Sequence, residues 1–208
     1  FSRQEALSLN FGGLHLHRPG YGYVDVAHKN LPDHSDGVFF IDLGSGDYSL
    51  IVSIARLKSF LPDSTMDGAV HYVNHIKYSP SGQSFIFYHF WKRKNERFSR
   101  CIIYGKDGTL KLLPSDASSM SHYSFINDER ILIYCDVNGP GYQIFDLKND
   151  TVTRLSNEEH LDGHPTVLPN GTVITDTYPG RFSREQALLL ITKEKTHVLA
   201  RFYSPRQY

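Results

Sequence analysis

The chain has 208 residues, a formal net charge of zero and 40% hydrophobic residues, values that suit a globular chain rather than a disordered one. Its 22 basic residues equal its 22 acidic residues, so no overall charge draws it to nucleic acid or to acidic membranes, and neither is an expected partner. No run of about 18 apolar residues occurs, and residues 2–5 are polar. The sequence therefore predicts no transmembrane helix and no secretion signal, and it favours a cytoplasmic location.

Residues 1–70 predict an irregular first unit. Within it, His15 and His17 alternate just before a Pro- and Gly-containing stretch, and residues 15–23 are predicted to form an extended turn. Residues 54–61 predict either a short helix or a loop, which Pro62 would end. Elsewhere helical periodicity is scarce, so the sequence indicates a mostly β chain.

A histidine-led hairpin recurs along the rest of the chain. Its three copies cover residues 74–82, 121–128 and 163–171. In each copy a histidine precedes a turn, and a second β-rich run comes after the turn. The histidines are 47 and 42 residues apart, a period typical of four-stranded propeller blades. A second hairpin with a polar turn follows at residues 101–108, 142–150 and 187–195, with an earlier copy at 38–47. Gly, Asn or Asp occupies the turn in every copy except that at 187–195.

These repeats predict an all-β fold, a β-propeller of four-stranded antiparallel blades with about four blades or an open, partial propeller. Residues 1–208 are expected to form a single partial domain with blades at about 1–70, 71–117, 118–159 and 160–208. Because propellers close with roughly four to eight blades, we expect the chain to be a portion of a longer propeller. A small β-sandwich is the alternative, and it would not explain the repeated histidines.

The three phased histidines, His75, His122 and His164, fall at the starts of predicted inner strands. Inner strands line the channel of a propeller, so these imidazoles are expected to face a common space. Neutral imidazole is a common ligand for transition metals and can also act as a general base near neutral pH. A structural role, in which each histidine hydrogen-bonds a neighbouring strand at a blade corner, stays open.

The third histidine unit carries further candidates. Asp176 follows a predicted strand and could fix a histidine tautomer, and Arg181 and Arg184 could bind a carboxylate through their planar forks. The alternative is that Asp176 caps a turn and that both arginines are solvated loop residues.

A basic cluster at residues 91–97 contains the one tryptophan. We predict a loop between strands there, in which Trp91 could stack on a sugar while cations meet acidic groups, or else a solvated hairpin tip. Cys101 and Cys135 lie in apolar runs and are predicted to be buried. The sequence contains no Gly-x-Ser-x-Gly elbow, phosphate-binding loop or His-Glu-x-x-His motif, so hydrolase, nucleotide and zinc-protease functions lack support.

Three motifs together resemble the oligogalacturonate-lyase-like, TolB-like β-propellers, over about residues 70–190. They are Asn74-His75 with residues 79–82, Ser121-His122-Tyr123, and residues 162–165 with residues 175–179. Enzymes of that family cleave uronate oligosaccharides by β-elimination. They use manganese held by histidines and a glutamine, with another histidine as base and an assisting arginine.

The resemblance implies a divalent metal, Mn²⁺, and an acidic oligosaccharide or glycan as partner. His164 and His122 become metal candidates, and His75, His122 and Arg181 become catalytic candidates. The implied substrate-binding residues are Asn74, Asp176, Tyr178 and Arg184. The alternative is a non-catalytic propeller that binds a glycan or a protein.

Overall fold

The computed structural model describes residues 4–24, 31–113 and 120–206. This part of the chain forms 15 strands, two short α-helices and one 3₁₀ turn. The chain divides into two compact units, residues 1–113 and 114–208. Each unit contains two antiparallel sheets of consecutive strands. The prediction of an all-β fold with antiparallel, blade-like sheets is confirmed, with three strands instead of four in the first sheet.

The first sheet pairs its strands in chain order, and a short helix follows the first strand and another follows the third. Asn10 caps the first helix by accepting a hydrogen bond from the Gly13 N–H (2.9 Å), and Ser53 caps the second in the same way through the Arg56 N–H (3.1 Å). The elements are β1 Glu5–Leu9, α1 Phe11–His17, β2 Gly37–Asp42, β3 Tyr48–Ser53 and α2 Ile54–Ser59.

The second sheet follows the 3₁₀ turn Ser64–Met66. Seven consecutive residues of its second strand are buried, from Phe85 to Trp91, as expected for a strand covered on both faces. Helices α1 and α2 contact the first strand of this sheet. The strands are β4 Val70–Tyr78, β5 Ser84–Arg93, β6 Glu96–Gly105 and β7 Leu110–Leu112.

The second unit repeats the same meander twice. Its core gathers Leu132 and Tyr142 from one sheet with Val173, Leu189 and Ile191 from the other. The first sheet has β8 Met120–Asn127, β9 Arg130–Cys135, β10 Gly141–Asp146 and β11 Thr151–Arg154. The second sheet has β12 Thr166–Val167, β13 Val173–Asp176, β14 Glu185–Ile191 and β15 Thr196–Tyr203.

Two local predictions are wrong. The segment from His15 to Tyr23 is not an extended turn throughout, because α1 extends to His17 and a turn follows it. Trp91 does not lie in a loop, because β5 continues to Arg93 and leaves a short turn before β6. Trp91 is 6% exposed and donates from Nε1 to the Thr65 hydroxyl (2.8 Å), so it cannot stack on a sugar.

Both cysteines are buried, as predicted. Burial raises the pKa of the Cys101 thiol well above its ordinary value and also raises the pKa of the Cys135 thiol. Within the residues that the structure describes, no helix has the length and hydrophobicity needed to span a membrane.

A buried pair of histidines joins β4 and β5 below Trp91. Arg100 Nε donates to Nδ1 of His89 (3.2 Å), so the proton of His89 lies on Nε2, which donates to Nδ1 of His71 (2.9 Å). Nε2 of His71 then donates to the Met66 carbonyl (3.3 Å). Every ring nitrogen is therefore used in the neutral form of both imidazoles.

This arrangement disfavours a second proton on either ring. Burial, reinforced by the charge of Arg100, lowers the pKa of His89 well below 6.5. Burial also lowers the pKa of His71, although the Met66 carbonyl and Asp33 oppose the change and Lys58 and Arg100 add to it.

We predict that the free energy of unfolding decreases as the pH falls below about 6.5. In that range the histidines of the unfolded chain bind protons, whereas His71 and His89 of the folded chain stay neutral. For His89 the slope approaches about 1.4 kcal/mol per pH unit. Urea unfolding between pH 7.5 and 5.5 measures this slope. His89→Gln should make it shallower, whereas His34→Gln, at an exposed side chain, should leave it unchanged. Equal slopes in all three proteins would contradict the prediction.

Candidate functional site

The second unit brings two of the phased histidines together. His122 lies near the start of β8, and His164 precedes β12. Their ring centroids are 4.2 Å apart with an interplanar angle of 48°. The ring of Tyr178 lies 6.0 Å from His122 and 5.7 Å from His164. We call His122, His164 and Tyr178, with the carboxylates described next, the imidazole-pair site.

Each imidazole has its own carboxylate. Asp176, at the end of β13, accepts from the His164 backbone N–H (2.6 Å), and both of its oxygens lie 3.0 Å from Nδ1 of His164. Asp162 Oδ1 lies 3.4 Å from Nδ1 of His122, and Asp162 Oδ2 accepts from the Ser121 hydroxyl (2.6 Å). A carboxylate at Nδ1 favours the tautomer with its proton there, which leaves a lone pair on Nε2.

The hydrogen bonds to Asp176 also set its charge. Partial burial alone would raise the pKa of this carboxyl group, but the backbone N–H and the ring of His164 outweigh burial and lower it. Asp176 is therefore ionised at neutral pH and remains an acceptor for His164.

Gly163 allows the close approach between the histidine segment and β13. A Cβ atom at this position would lie 1.9 Å from the Asp176 carbonyl oxygen, so only glycine fits without movement of one backbone. Because glycine has no side chain, the backbone at position 163 can approach β13 closely enough for His164 to reach Asp176.

The arginines predicted for the third unit lie in the turn between β13 and β14. The guanidinium carbon of Arg181 lies 5.4 Å from the ring centroid of Phe182, and both side chains are exposed. Arg184 has a positive φ of 58°, and its Nε donates to the Ser204 carbonyl (3.0 Å). Arg184 therefore ties the turn to the residue after β15.

His75 and Asn74 belong to the first unit, at a bulge in β4. His75 has a φ of 55°, unusual for a residue with a side chain, and its N–H donates to Asn74 Oδ1 (2.8 Å). Its ring meets that of Tyr88 edge to face at 5.8 Å. Such bulges redirect side chains and are common near functional sites.

Sequence reasoning did not select two residues that support the imidazole pair, Asp162 and Ser121. Both lie inside the motifs that resemble the lyase family. They are 41 positions apart, so the sequence alone does not indicate their hydrogen bond. A carboxylate two positions before a phased histidine was the available signal.

The donor set matches a metal site only in part. Two imidazoles, each held by a carboxylate at Nδ1, have the arrangement of metal-ligating histidines. Catalytic zinc-type sites use three protein ligands, and across residues 4–24, 31–113 and 120–206 no group of three or more His, Cys, Asp or Glu side chains is placed to hold a metal ion.

Comparison with solved structures finds this fold in oligogalacturonate lyase. The crystal structure of that enzyme from Vibrio parahaemolyticus has a TM-score of 0.53 and 12% identity, covering 79% of this chain and 48% of that chain. An oligogalacturonate lyase in complex with manganese has a TM-score of 0.47 and 13% identity, covering 80% and 44%. Dipeptidyl peptidase 4 of Porphyromonas gingivalis has a TM-score of 0.49 and 8% identity, covering 84% and 30%.

The predicted resemblance to oligogalacturonate-lyase propellers is confirmed for the fold. The chain spans about half the length of the two lyase chains, so the likeness concerns part of a propeller. The sequence matches no protein-family model, and no curated protein matches it.

We predict that Gly163→Ala separates His164 from Asp176, because the added methyl group would collide with the Asp176 carbonyl oxygen. The free energy of unfolding should fall by about 1–3 kcal/mol, as for other overpacking substitutions. Nitrogen-15 NMR should show that the His164 ring loses its preference for a proton on Nδ1. Thr166→Ala, at a nearby exposed position, is the control and should change neither quantity; an unaltered His164 tautomer in Gly163→Ala would contradict the prediction.

Proposed function

We propose that the chain is part of a lyase-type propeller that acts on uronate oligosaccharides by β-elimination, with the imidazole-pair site as its chemical centre. The observation that carries this proposal is the pairing of each imidazole with its own carboxylate at a ring separation of 4.2 Å. The fold shared with the Vibrio oligogalacturonate lyase supports it.

The reaction requires a base that removes the proton next to the substrate carboxylate. A neutral imidazole with its Nδ1 proton held by a carboxylate presents a basic Nε2. We assign His164 as a metal ligand. His122 keeps the two roles predicted for it, base or second ligand, because both roles need the lone pair of Nε2.

Charge explains why a cation belongs in this proposal. Asp162 and Asp176 give the site a negative character, and the cavity of about 370 Å³ beside Tyr178 is lined by Glu159 and by the ion pair of Glu185 with Arg201. Asp162 and Asp176 would repel a uronate bound beside the imidazoles, and removal of its proton adds further negative charge. A divalent metal such as Mn²⁺, when bound, would neutralise that charge.

The remaining assignments follow the same logic. Tyr178 would stack on a sugar ring beside the imidazoles, and Asp176 orients His164. Arg181 is the proposed cation that binds the substrate carboxylate. Arg184 is proposed to support substrate binding indirectly, because it stabilises the turn that carries Arg181. The roles predicted for His75 as base and Asn74 as a substrate-binding residue remain predictions.

A second candidate function is non-catalytic binding of a glycan or a protein. Two observations favour it. The described residues contain no group of three metal-ligating side chains, and two aromatic side chains are exposed, Phe182 (81%), which lies beside Arg181, and Tyr178 (49%). Such rings suit the apolar face of a sugar or a protein anchor.

We predict that Mn²⁺ binds to the chain and that the Mn²⁺-loaded protein converts uronate oligomers to an unsaturated product. The rise in absorbance of the unsaturated sugar measures this reaction. His164→Gln should weaken Mn²⁺ binding in calorimetry and abolish turnover. Asp176→Asn should reduce metal affinity or activity about 10–100-fold, as loss of an orienting carboxylate does elsewhere.

His122→Gln separates the two roles of His122. Lost turnover with unchanged Mn²⁺ affinity indicates a base, whereas weaker Mn²⁺ binding indicates a ligand. His160→Gln serves as a control histidine, because its Nε2 is engaged with the Thr196 hydroxyl (2.9 Å). A protein that binds no metal and leaves a broad panel of uronates intact, yet retains glycan binding in all these variants, would refute the lyase proposal and favour the binding module.

A further inference from the structure

The basic hairpin of β5 and β6 sends its cations to two faces of the sheet. Arg93 lies on the Trp91 face, where it donates to the Ser64 carbonyl (3.4 Å). Lys92 and Arg97 are cross-strand partners, and both lie on the opposite face, because side chains alternate along a strand. This second face is the one that carries Tyr72 and Phe90.

Tyr72 and Phe90 form an aromatic stack on that face. Their ring centroids are 5.1 Å apart and their planes differ by 10°. Tyr72 is 4% exposed and Phe90 is 6% exposed, so the stack is a rigid base rather than a mobile surface group.

Three cations gather around this stack. The guanidinium carbons of Arg97 and Arg18 lie 5.7 Å and 5.9 Å from the same Phe90 ring centroid. Lys92 Nζ lies 5.7 Å from the Tyr72 centroid and donates to the His17 carbonyl. Arg18 also lies over Tyr21, at 3.7 Å.

These cations have no carboxylate partner in the described part of the chain. The ion pairs found there involve Lys58, His122, His164 and Arg201 instead. Like charges held near one ring repel each other, and an anion between them would reverse that repulsion.

The Tyr72 hydroxyl provides a second, independent indication of a ligand. It is buried, and among the described residues it has no hydrogen bond of good geometry, although Arg97 lies in contact with it. Buried polar groups are rarely left without a partner. Burial raises the pKa of Tyr72, while the charges of Arg97 and Arg18 and a hydrogen-bonding contact with Arg97 oppose that rise.

We propose that Arg18, Arg97 and the Tyr72 hydroxyl form a binding site for an oxyanion, the carboxylate or phosphate group of a small ligand. The arginines would shift their exposed ends to donate N–H bonds to the anion, and the hydroxyl would donate from the rigid stack. Planar guanidinium groups match such anions bidentately. The site belongs to the first unit, and it does not depend on the lyase proposal.

Calorimetric titration tests this site with sodium galacturonate, inorganic phosphate and neutral galactose at constant ionic strength. The titrations use the full chain carrying His164→Gln, which removes the imidazole pair of the second unit as a competing site. Saturable oxyanion binding is expected, with none for galactose. Tighter binding of galacturonate identifies a sugar acid as the ligand class, and tighter binding of phosphate identifies a phosphate-bearing ligand.

Three variants locate the binding. Arg97→Gln should weaken the affinity about tenfold, as expected for a lost charge-assisted bond. Tyr72→Phe should weaken it several-fold. Without an oxyanion, Tyr72→Phe should be at least as stable as the parent, since it removes a buried hydroxyl that lacks a hydrogen bond of good geometry and keeps the ring. Arg93→Gln removes the same charge from the other face and should bind like the parent.

Absence of oxyanion binding would overturn the proposal. So would an affinity that is unchanged in both Arg97→Gln and Tyr72→Phe, or galactose binding as tight as that of galacturonate. Loss of stability in Tyr72→Phe without any oxyanion would show that the hydroxyl already has a structural partner, and would also overturn it.

Discussion

The hydrogen bonds between Asp176 and His164 are the interaction on which the imidazole-pair site depends. They join the end of β13 to the segment before β12, so the backbone of one blade-like sheet fixes an imidazole at its edge. Asp162 does the same for His122. Rings that would otherwise rotate are held with Nδ1 occupied, and their chemistry is directed to Nε2.

The same carboxylates create an electrostatic requirement. The two orienting aspartates give a site that attracts cations more readily than acidic sugars. Two arginines of the second unit are already engaged, since Arg184 donates to the Ser204 carbonyl and Arg201 pairs with Glu185. In the first unit the situation is reversed, since Arg18, Lys92 and Arg97 surround an aromatic stack and have no acidic partner among residues 4–24, 31–113 and 120–206. The two units thus offer opposite charge preferences.

Much of the fold could be predicted because it is repetitive. A histidine followed by a turn and a β-rich run marks the first hairpin of three sheets, and strand pairing between chain neighbours needs little long-range information. The proximity of His122 and His164 followed from that phase. The position of Asp176 at a strand end also predicts a histidine partner. The pairing of Asp162 with His122 could not be predicted, because hydrogen bonds such as that from Ser121 to Asp162 join residues that are far apart in sequence.

The failures have local physical causes. Helix α1 contains two glycines and has little helical propensity of its own, and it forms because Asn10 caps it and Leu14 is buried. The basic cluster at residues 91–97 predicts a loop, but a short turn lets both strands continue past Trp91. Strand geometry then separates the cations by face, which composition alone cannot show.

The two buried thiols have a practical consequence for spectroscopy. Cys101 and Cys135 are 1% and 2% exposed, so alkylating labels should react slowly with the native fold, since they require an accessible thiolate. A cysteine introduced at an exposed position in either unit would then be the fast-reacting group. Paired probes could report the separation of the two units without removal of the native cysteines.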